Sequence, residues 1–257
     1  MQLIDTHTHL YLQEFKEDIS QVLKNSLEEG VTRFYLPNID STSIHDMMAL
    51  EQQFPDYCVA MMGLHPCSVN DNYMQELALV KHWLEQRSFA AVGEIGLDYF
   101  WDQTFVEQQK SAFQQQIEWA LAFNLPIVIH SRNSLQDCIK MVKHNQNGSL
   151  RGIFHCFGGN AQEAKQITDL GFLLGIGGVI TYKKSGLAEV VKNIPLDSLV
   201  LETDAPYLTP VPFRGKRNEP AYLKYIIEKL AEAKNCTIEE VADATTINAQ
   251  KLFGTNN

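Results

Sequence analysis

Eight short apolar runs, each followed by a longer stretch with polar residues at helical spacing, recur along this chain. They are LIDTH (3–7), TRFYL (32–36), CVAMMGL (58–64), AAVGEI (90–95), PIVIH (126–130), GIFHCF (152–157), FLLGIG (172–177) and SLVLET (198–203). The intervening stretches, such as 72–86 (NYMQELALVKHWLEQ) and 106–123 (VEQQKSAFQQQIEWALAF), carry the helical pattern. Asp40 or Ser41 and Asn160 stand where helix caps are useful, and a proline-rich loop (205–220) leads to terminal helices. Near-continuous apolar strands alternating with helices are what a parallel sheet buried on both faces requires. Eight of them point to an α/β fold of the (β/α)8 TIM-barrel type, in preference to an open doubly wound sheet, which uses fewer strands. No repeat, linker or low-complexity tract divides the chain, so residues 1–257 read as a single barrel domain.

A barrel of this kind gathers the carboxyl ends of its strands at one mouth. His7 and His9 end the first run, His65 the third, His130 the fifth and His155 the sixth. Glu94, followed by Asp98, belongs to the fourth, and Glu202 and Asp204 to the eighth. In an extended first strand, Asp5, His7 and His9 share one face by their two-residue spacing. The second run (LPNID) and the seventh (GIGG) end without an obvious ligand. His45, His82 and His144 fall in helix-like segments and read as surface residues. Five histidines and several carboxylates in one mouth would be costly to bury unpaired, and metal coordination relieves that cost.

Imidazole and carboxylate without thiolate suit Zn²⁺, Mn²⁺, Fe²⁺ or Co²⁺, and Mg²⁺ where carboxylates dominate. The donors exceed what one tetrahedral ion needs, so two ions are expected, with Glu94 between them. One would take His7, His9, Glu94 and Asp204, the other Glu94, His130 and His155, with a bridging water as nucleophile. The five cysteines are odd in number and show no CxxC spacing, which fits a reducing cytoplasm and no disulfide framework. No signal peptide and no membrane span are expected from the hydropathy pattern. The net charge of −10 excludes binding nucleic acid by overall charge. Any polyanion must be gripped locally, by cations or by the RGKR stretch (214–217).

The motifs IDTHTHL (4–10), GLHP (63–66), VGEIGLDY (92–99), PIVIHSR (126–132), HCFGG (155–159), GIGGVITY (175–182), LETDAPYLTP (201–210), RGKRNEP (214–220) and NAQKLF (248–253) run in order along the chain. Together they resemble the TatD family of metal-dependent hydrolases, within the amidohydrolase-like barrels. The HxH pair occurs in many barrels; GEIGLD with LETDAPYL and the RG-x-x-NEP stretch is specific. The resemblance implies a two-metal deoxyribonuclease, a 3′–5′ exonuclease favouring single-stranded DNA, and leans to a monomer. It implies the same six ligands: His7, His9, Glu94, His130, His155 and Asp204.

Within that reading, Glu94 and Asp204 are catalytic, Asp204 as a ligand that can also take a proton. His65 donates to a phosphate oxygen, and Arg214 clamps a phosphate. Asp98 and Glu202 are candidates to meet substrate; the alternatives are, for Asp98, fixing a histidine tautomer or capping a loop and, for Glu202, orienting a ligand or standing as a barrel-core acid held by hydrogen bonds, while Asp5 sits deeper in a structural place. Tyr99, Phe100, Trp101, Tyr182 and Tyr207 follow strands and are candidates for stacking on bases. The alternative chemistry is hydrolysis of an amide, a lactone or a small phosphoester. Related barrels of that kind commonly bridge their metals with a modified lysine at the fourth strand, where this chain has Glu94. A deaminase needs only one metal and a separate glutamate, and an idle binding scaffold has no use for an intact ligand set. The ion, the true substrate and the polarity of cleavage stay open at this level.

Overall fold

The structure is a computed structural model that describes residues 1–254. Strand and helix alternate as β1 (Leu3–Asp5), α1 (Ile19–Glu28), β2 (Val31–Pro37), α2 (Ile44–Gln53), β3 (Cys58–Met61), α3 (Tyr73–Gln86), β4 (Val92–Asp98) and α4 (Val106–Ala122). They continue as β5 (Ile127–Arg132), α5 (Leu135–Asn145), β6 (Gly152–Phe154), α6 (Ala161–Asp169), β7 (Leu173–Ile176), α7 (Leu187–Val191) and β8 (Leu199–Leu201), and end with α8 (Leu223–Lys234) and α9 (Ile238–Phe253). All strand pairs are parallel, in the orders β1-β2-β3 and β4-β5-β6-β7-β8. At one seam Met62 bridges Val92, and at the other Thr6 N donates to Leu201 O at 3.0 Å. The strands therefore follow one another in a TIM-barrel-like ring, as the eight runs predicted.

Two apolar clusters divide the interior. Strand residues Leu3, Phe34, Leu97, Ile129 and Leu174 pack outward against the helices in the larger one. The smaller holds Ile4, Tyr35, Met61, Ala91, Val128, Ile153 and Val200 with Ala249 and Leu252 of α9. One apolar residue from each of seven strands or their approaches fills the middle of the ring. Phe253 stacks on Tyr35 with ring centroids 3.9 Å apart, so α9 stops the amino-terminal end. The strand-end histidines and carboxylates lie at the other end.

The strands are shorter than the apolar runs at the site. The first stops at Asp5 rather than reaching His7, the sixth at Phe154 and the eighth at Leu201. The helix caps differ too: Ser43, not Asp40 or Ser41, stands at the N-cap of α2, and Asp40 accepts the Thr42 N–H in the turn before it. Asn160 caps α6 as expected, in a reciprocal box with Glu163. His45, His82 and His144 are exposed on helices, also as expected. No helix among the described residues is long and apolar enough to cross a membrane.

Candidate metal centre

Regular alternation carries several strand-end residues inward. Val128, Ile153, Val200 and Met61 belong to the central cluster, so His130, His155, Glu202 and Asp204, and His65 follow on the same side at even spacing. Two ligand positions break this rule. Ile4 is central, so an unbroken β1 would turn Thr6 and Thr8 inward and His7 and His9 outward. The chain instead leaves strand conformation after Asp5, correcting the expectation of one extended face. Thr6 N and Thr8 N bond outward to Leu201 O and Tyr35 O, and the two imidazoles reach Glu94. In β4, the four residues Val92 to Ile95 are matched by three in β5, Ile127 to Ile129. A bulge of this kind re-aims a side chain, here Glu94.

The loop after β8 is held by polar straps. Asp5, fully buried, accepts from Thr203 N (2.9 Å), Thr203 Oγ1 and His7 N (3.3 Å), joining β1 to the β8 loop. Burial raises its pKa to about 8 against those hydrogen bonds. Asn218 donates to Thr203 O (2.8 Å) and Tyr207 O (2.6 Å), which accounts for the asparagine of the RG-x-x-NEP stretch. Between these anchors Asp204 sits at φ 57°, a left-handed conformation that aspartate tolerates better than most residues. Gly175 supplies room: a Cβ there would collide with the Glu202 carboxylate. The glycine-rich end of the seventh run therefore contributes space where it lacks a ligand.

Glu94, 2 % exposed, is the centre. Its Oε2 lies 3.2 Å from His7 Nε2 and 3.6 Å from His9 Nε2. Asp204 Oδ1 closes that group at 3.7 and 3.5 Å from the same two nitrogens. Oε1 lies 2.9 Å from His130 Nδ1 and 3.4 Å from both His155 Nε2 and His65 Nε2. Ligand atoms of His7, His9 and Glu94, and separately of Glu94, His130 and His155, all fall within 4.8 Å of one another.

The far nitrogens of these rings decide whether cations fit. Tyr11 donates to Pro37 O at 2.6 Å, so its oxygen receives the proton of His9 Nδ1 at 2.9 Å. The Nε2 lone pair of His9 is then free toward Glu94. His155 Nδ1 is held by Glu202 Oε1 at 3.1 Å, and His130 Nε2 by Asp98 Oδ2 at 2.8 Å. Each leaves the other ring nitrogen facing a Glu94 oxygen, in the manner of carboxylate–histidine–metal arrangements. Lone pairs of nitrogen and oxygen cannot share so small a buried volume without a positive charge between them. The donor set fits divalent cations on both sides of Glu94.

Without a metal, protons serve instead. Burial disfavours charge on His155, but Glu202 and Glu94 outweigh it and raise its pKa to about 10. His130 is raised against the same burial by its bonds to Asp98 and Glu94. His7 and His65 are lowered, chiefly by burial. Glu94 is held well below the ordinary carboxylate range, because His65, His7 and His155 overcome its burial.

The remaining expected residues divide. His65 accepts the Cys67 N–H on Nδ1 at 3.0 Å, so its proton stands on Nε2, inside the mouth. Asp98 and Glu202 are buried, each with an oxygen on the outer ring nitrogen of His130 or His155, and Asp98 Oδ1 also caps the loop by accepting from Phe100 N and Trp101 N. Arg214 is exposed, its guanidinium 4.1 Å over the Tyr182 ring. Arg217 is not free for a polyanion: it pairs with Asp18 at 2.7 Å and Glu219 at 2.9 Å. The basic patch of the RGKR stretch is thus Arg214 and Lys216. Tyr99 and Tyr182 are tied to Asp137 and Thr209. Tyr207 is exposed with its ring 6.1 Å from that of His9. Tyr11 was not anticipated, although it extends the two-residue spacing His7, His9, Tyr11.

A family model described as TatD related DNase matches residues 4–254. The metal-dependent hydrolase YabD of Bacillus subtilis (strain 168) is 40% identical over 255 residues, 99% of this chain and 100% of that protein. The 3'-5' ssDNA/RNA exonuclease TatD of Erwinia tasmaniensis is 31% identical over 257 residues, covering 98% of this chain and 99% of its own. The crystal structure of YJJV, a TatD homolog from Escherichia coli K12, superposes with a TM-score of 0.93 at 31% identity, covering 98% of both chains.

Proposed function

The chain belongs to the TatD-related DNase family, and from that premise we propose a metal-dependent hydrolase that removes nucleotides from the 3′ end of single-stranded DNA. One observation carries this reading: the two oxygens of Glu94 face two separate groups of imidazoles. His7, His9, Glu94 and Asp204 would hold one divalent ion, and Glu94, His130 and His155 a second, with Mg²⁺, Mn²⁺ or Zn²⁺ all compatible with the donors. When bound, the pair supplies positive charge at the phosphoryl oxygens, a more acidic water and a partner for the departing alkoxide.

The chain's own residues supply position and protons. Asp204 takes the proton of the attacking water. Burial works against its charge, but the imidazoles of His9, His155 and His7 around it keep its pKa below the ordinary value. It therefore enters the reaction as a carboxylate. His65 donates from Nε2 to a non-bridging phosphoryl oxygen, its ring held by the Cys67 N–H. Asp98 and Glu202 fix His130 and His155. Arg214 has the free planar fork that grips a phosphate in two places. Residues 1–257 act as a single barrel domain in this reading.

The test incubates metal-reconstituted protein with end-labelled single-stranded DNA, beside an amide, a lactone and a phosphotriester. A ladder shortening from the 3′ end is expected, lost in EDTA and restored by Mg²⁺ or Mn²⁺. Turnover of the amide or lactone with the DNA left intact would contradict the proposal.

A further inference from the structure

At the mouth, two exposed aromatic residues and an unpaired arginine stand on the backbone that orients a metal-site histidine. Phe100 and Trp101 directly follow β4, and Trp101 is 70% exposed. Their backbone N–H groups donate to Asp98 Oδ1 at 2.9 and 3.2 Å. The other oxygen of the same carboxylate holds His130 Nε2. Arg132 ends β5, in register with Asp98 and two residues beyond His130. Its guanidinium lies 3.7 Å over the Phe100 ring and 5.1 Å from that of Trp101.

Stacking uses the face of a guanidinium and leaves its N–H edges free. Among the described residues no carboxylate or carbonyl pairs with the Arg132 side chain, in contrast to Arg217 and Arg87. Asp102, next in the loop, is turned back onto Thr104. An exposed indole beside a free cation, in a chain of net charge −10, suits a ligand that carries a flat ring and a phosphate together.

We infer that Trp101 stacks on an unpaired nucleobase next to the bond being cut while Arg132, braced on Phe100, holds the phosphate beside it. The inference rests on the nuclease reading and deepens it. It assigns the preference for single strands to a base that must be unstacked from its neighbours before it can cover the indole. Asp98 couples the platform to the metal centre, so base and scissile phosphate are placed by one rigid segment.

The experiment measures kcat/KM of the metal-loaded full chain on a short 5′-labelled single strand and on versions with one base near the 3′ end replaced by an abasic sugar. Wild type is expected to lose about 10- to 100-fold at one of these positions, the usual worth of a stacked base. Trp101→Ala loses a similar factor on the intact strand and is indifferent to the missing base; Trp101→Phe keeps part of the discrimination. A Trp101→Ala variant that discriminates like wild type, or a wild type indifferent to every abasic position, overturns the inference. For Arg132→Gln, the slope of log kcat/KM against log salt is expected to fall by about 0.7, one phosphate contact on a single strand. An unchanged slope removes the arginine from the proposal. If wild type hydrolyses bis(p-nitrophenyl) phosphate but no DNA, the platform falls and the phosphodiesterase stands; if it hydrolyses neither, the nuclease reading falls as well.

Discussion

The two sides of Glu94 are made from the same residue types and differ in the groups behind their imidazoles and in protonation. On the Oε2 side His7 is fully buried and His9 nearly so, and both stand on chain that has left regular strand geometry. On the Oε1 side His130 and His65 keep 16% and 14% of their side chains in contact with solvent, while His155 at 5% is as deep as His9 and Asp204 on the Oε2 side keeps 13%. There His130 and His155 are backed by carboxylates, whereas His9 is backed by the neutral hydroxyl of Tyr11 and His7 Nδ1 has no partner.

The largest effect should come from removing what the two sides share. Glu94→Ala is expected to lower phosphodiester turnover on the order of 1000-fold, because both cations lose an anionic partner. Calorimetric metal titration should show both binding events weakened; loss of only one would break the symmetry claimed for Glu94. Asp98→Asn should weaken metal on the Oε1 side alone, by about 10- to 100-fold, the usual cost of losing a partner behind a ligand. Equal weakening of both events would contradict the division.

Protons sharpen the contrast further. In the metal-free protein His155, raised to about 10, is protonated at neutral pH, and His130 is raised as well. A metal must displace those protons, so affinity on the Oε1 side rises with pH by about tenfold per unit for each proton released. His7 is lowered by burial and holds no such proton at neutral pH. The Oε2 side should therefore show a shallower slope, and identical slopes would argue against the distinction. The smallest effect is expected from Tyr11→Phe, which removes the bonds to Pro37 O and His9 Nδ1, the latter worth about 1 kcal/mol. That should weaken metal on the Oε2 side about fivefold and leave the other side unchanged.

The sequence made much of this readable, and where it failed the reason is geometric. His130 lies on a regular strand, and His155 and Glu202 directly follow strand ends at even spacing from central-cluster residues, so alternation points to them, whereas Asp204 also needs the strapped loop after β8. His7, His9 and Glu94 were found through residue type and position, because the strand end after Asp5 and the extra residue in β4 invert the alternation. Nothing in one-dimensional spacing announces either break. The role of Tyr11 depends on Pro37 from another strand. The pairing of Arg217 depends on Asp18, almost the whole chain away in sequence. Both are contacts that only the closed ring creates.

Anomalous diffraction from crystals of this protein grown with Mn²⁺ tests the central claim most directly. Two peaks should appear, one among His7, His9 and Asp204 and the other between His130 and His155, each touching a different oxygen of Glu94. A single peak, or a pair that leaves Glu94 uncoordinated, would contradict it.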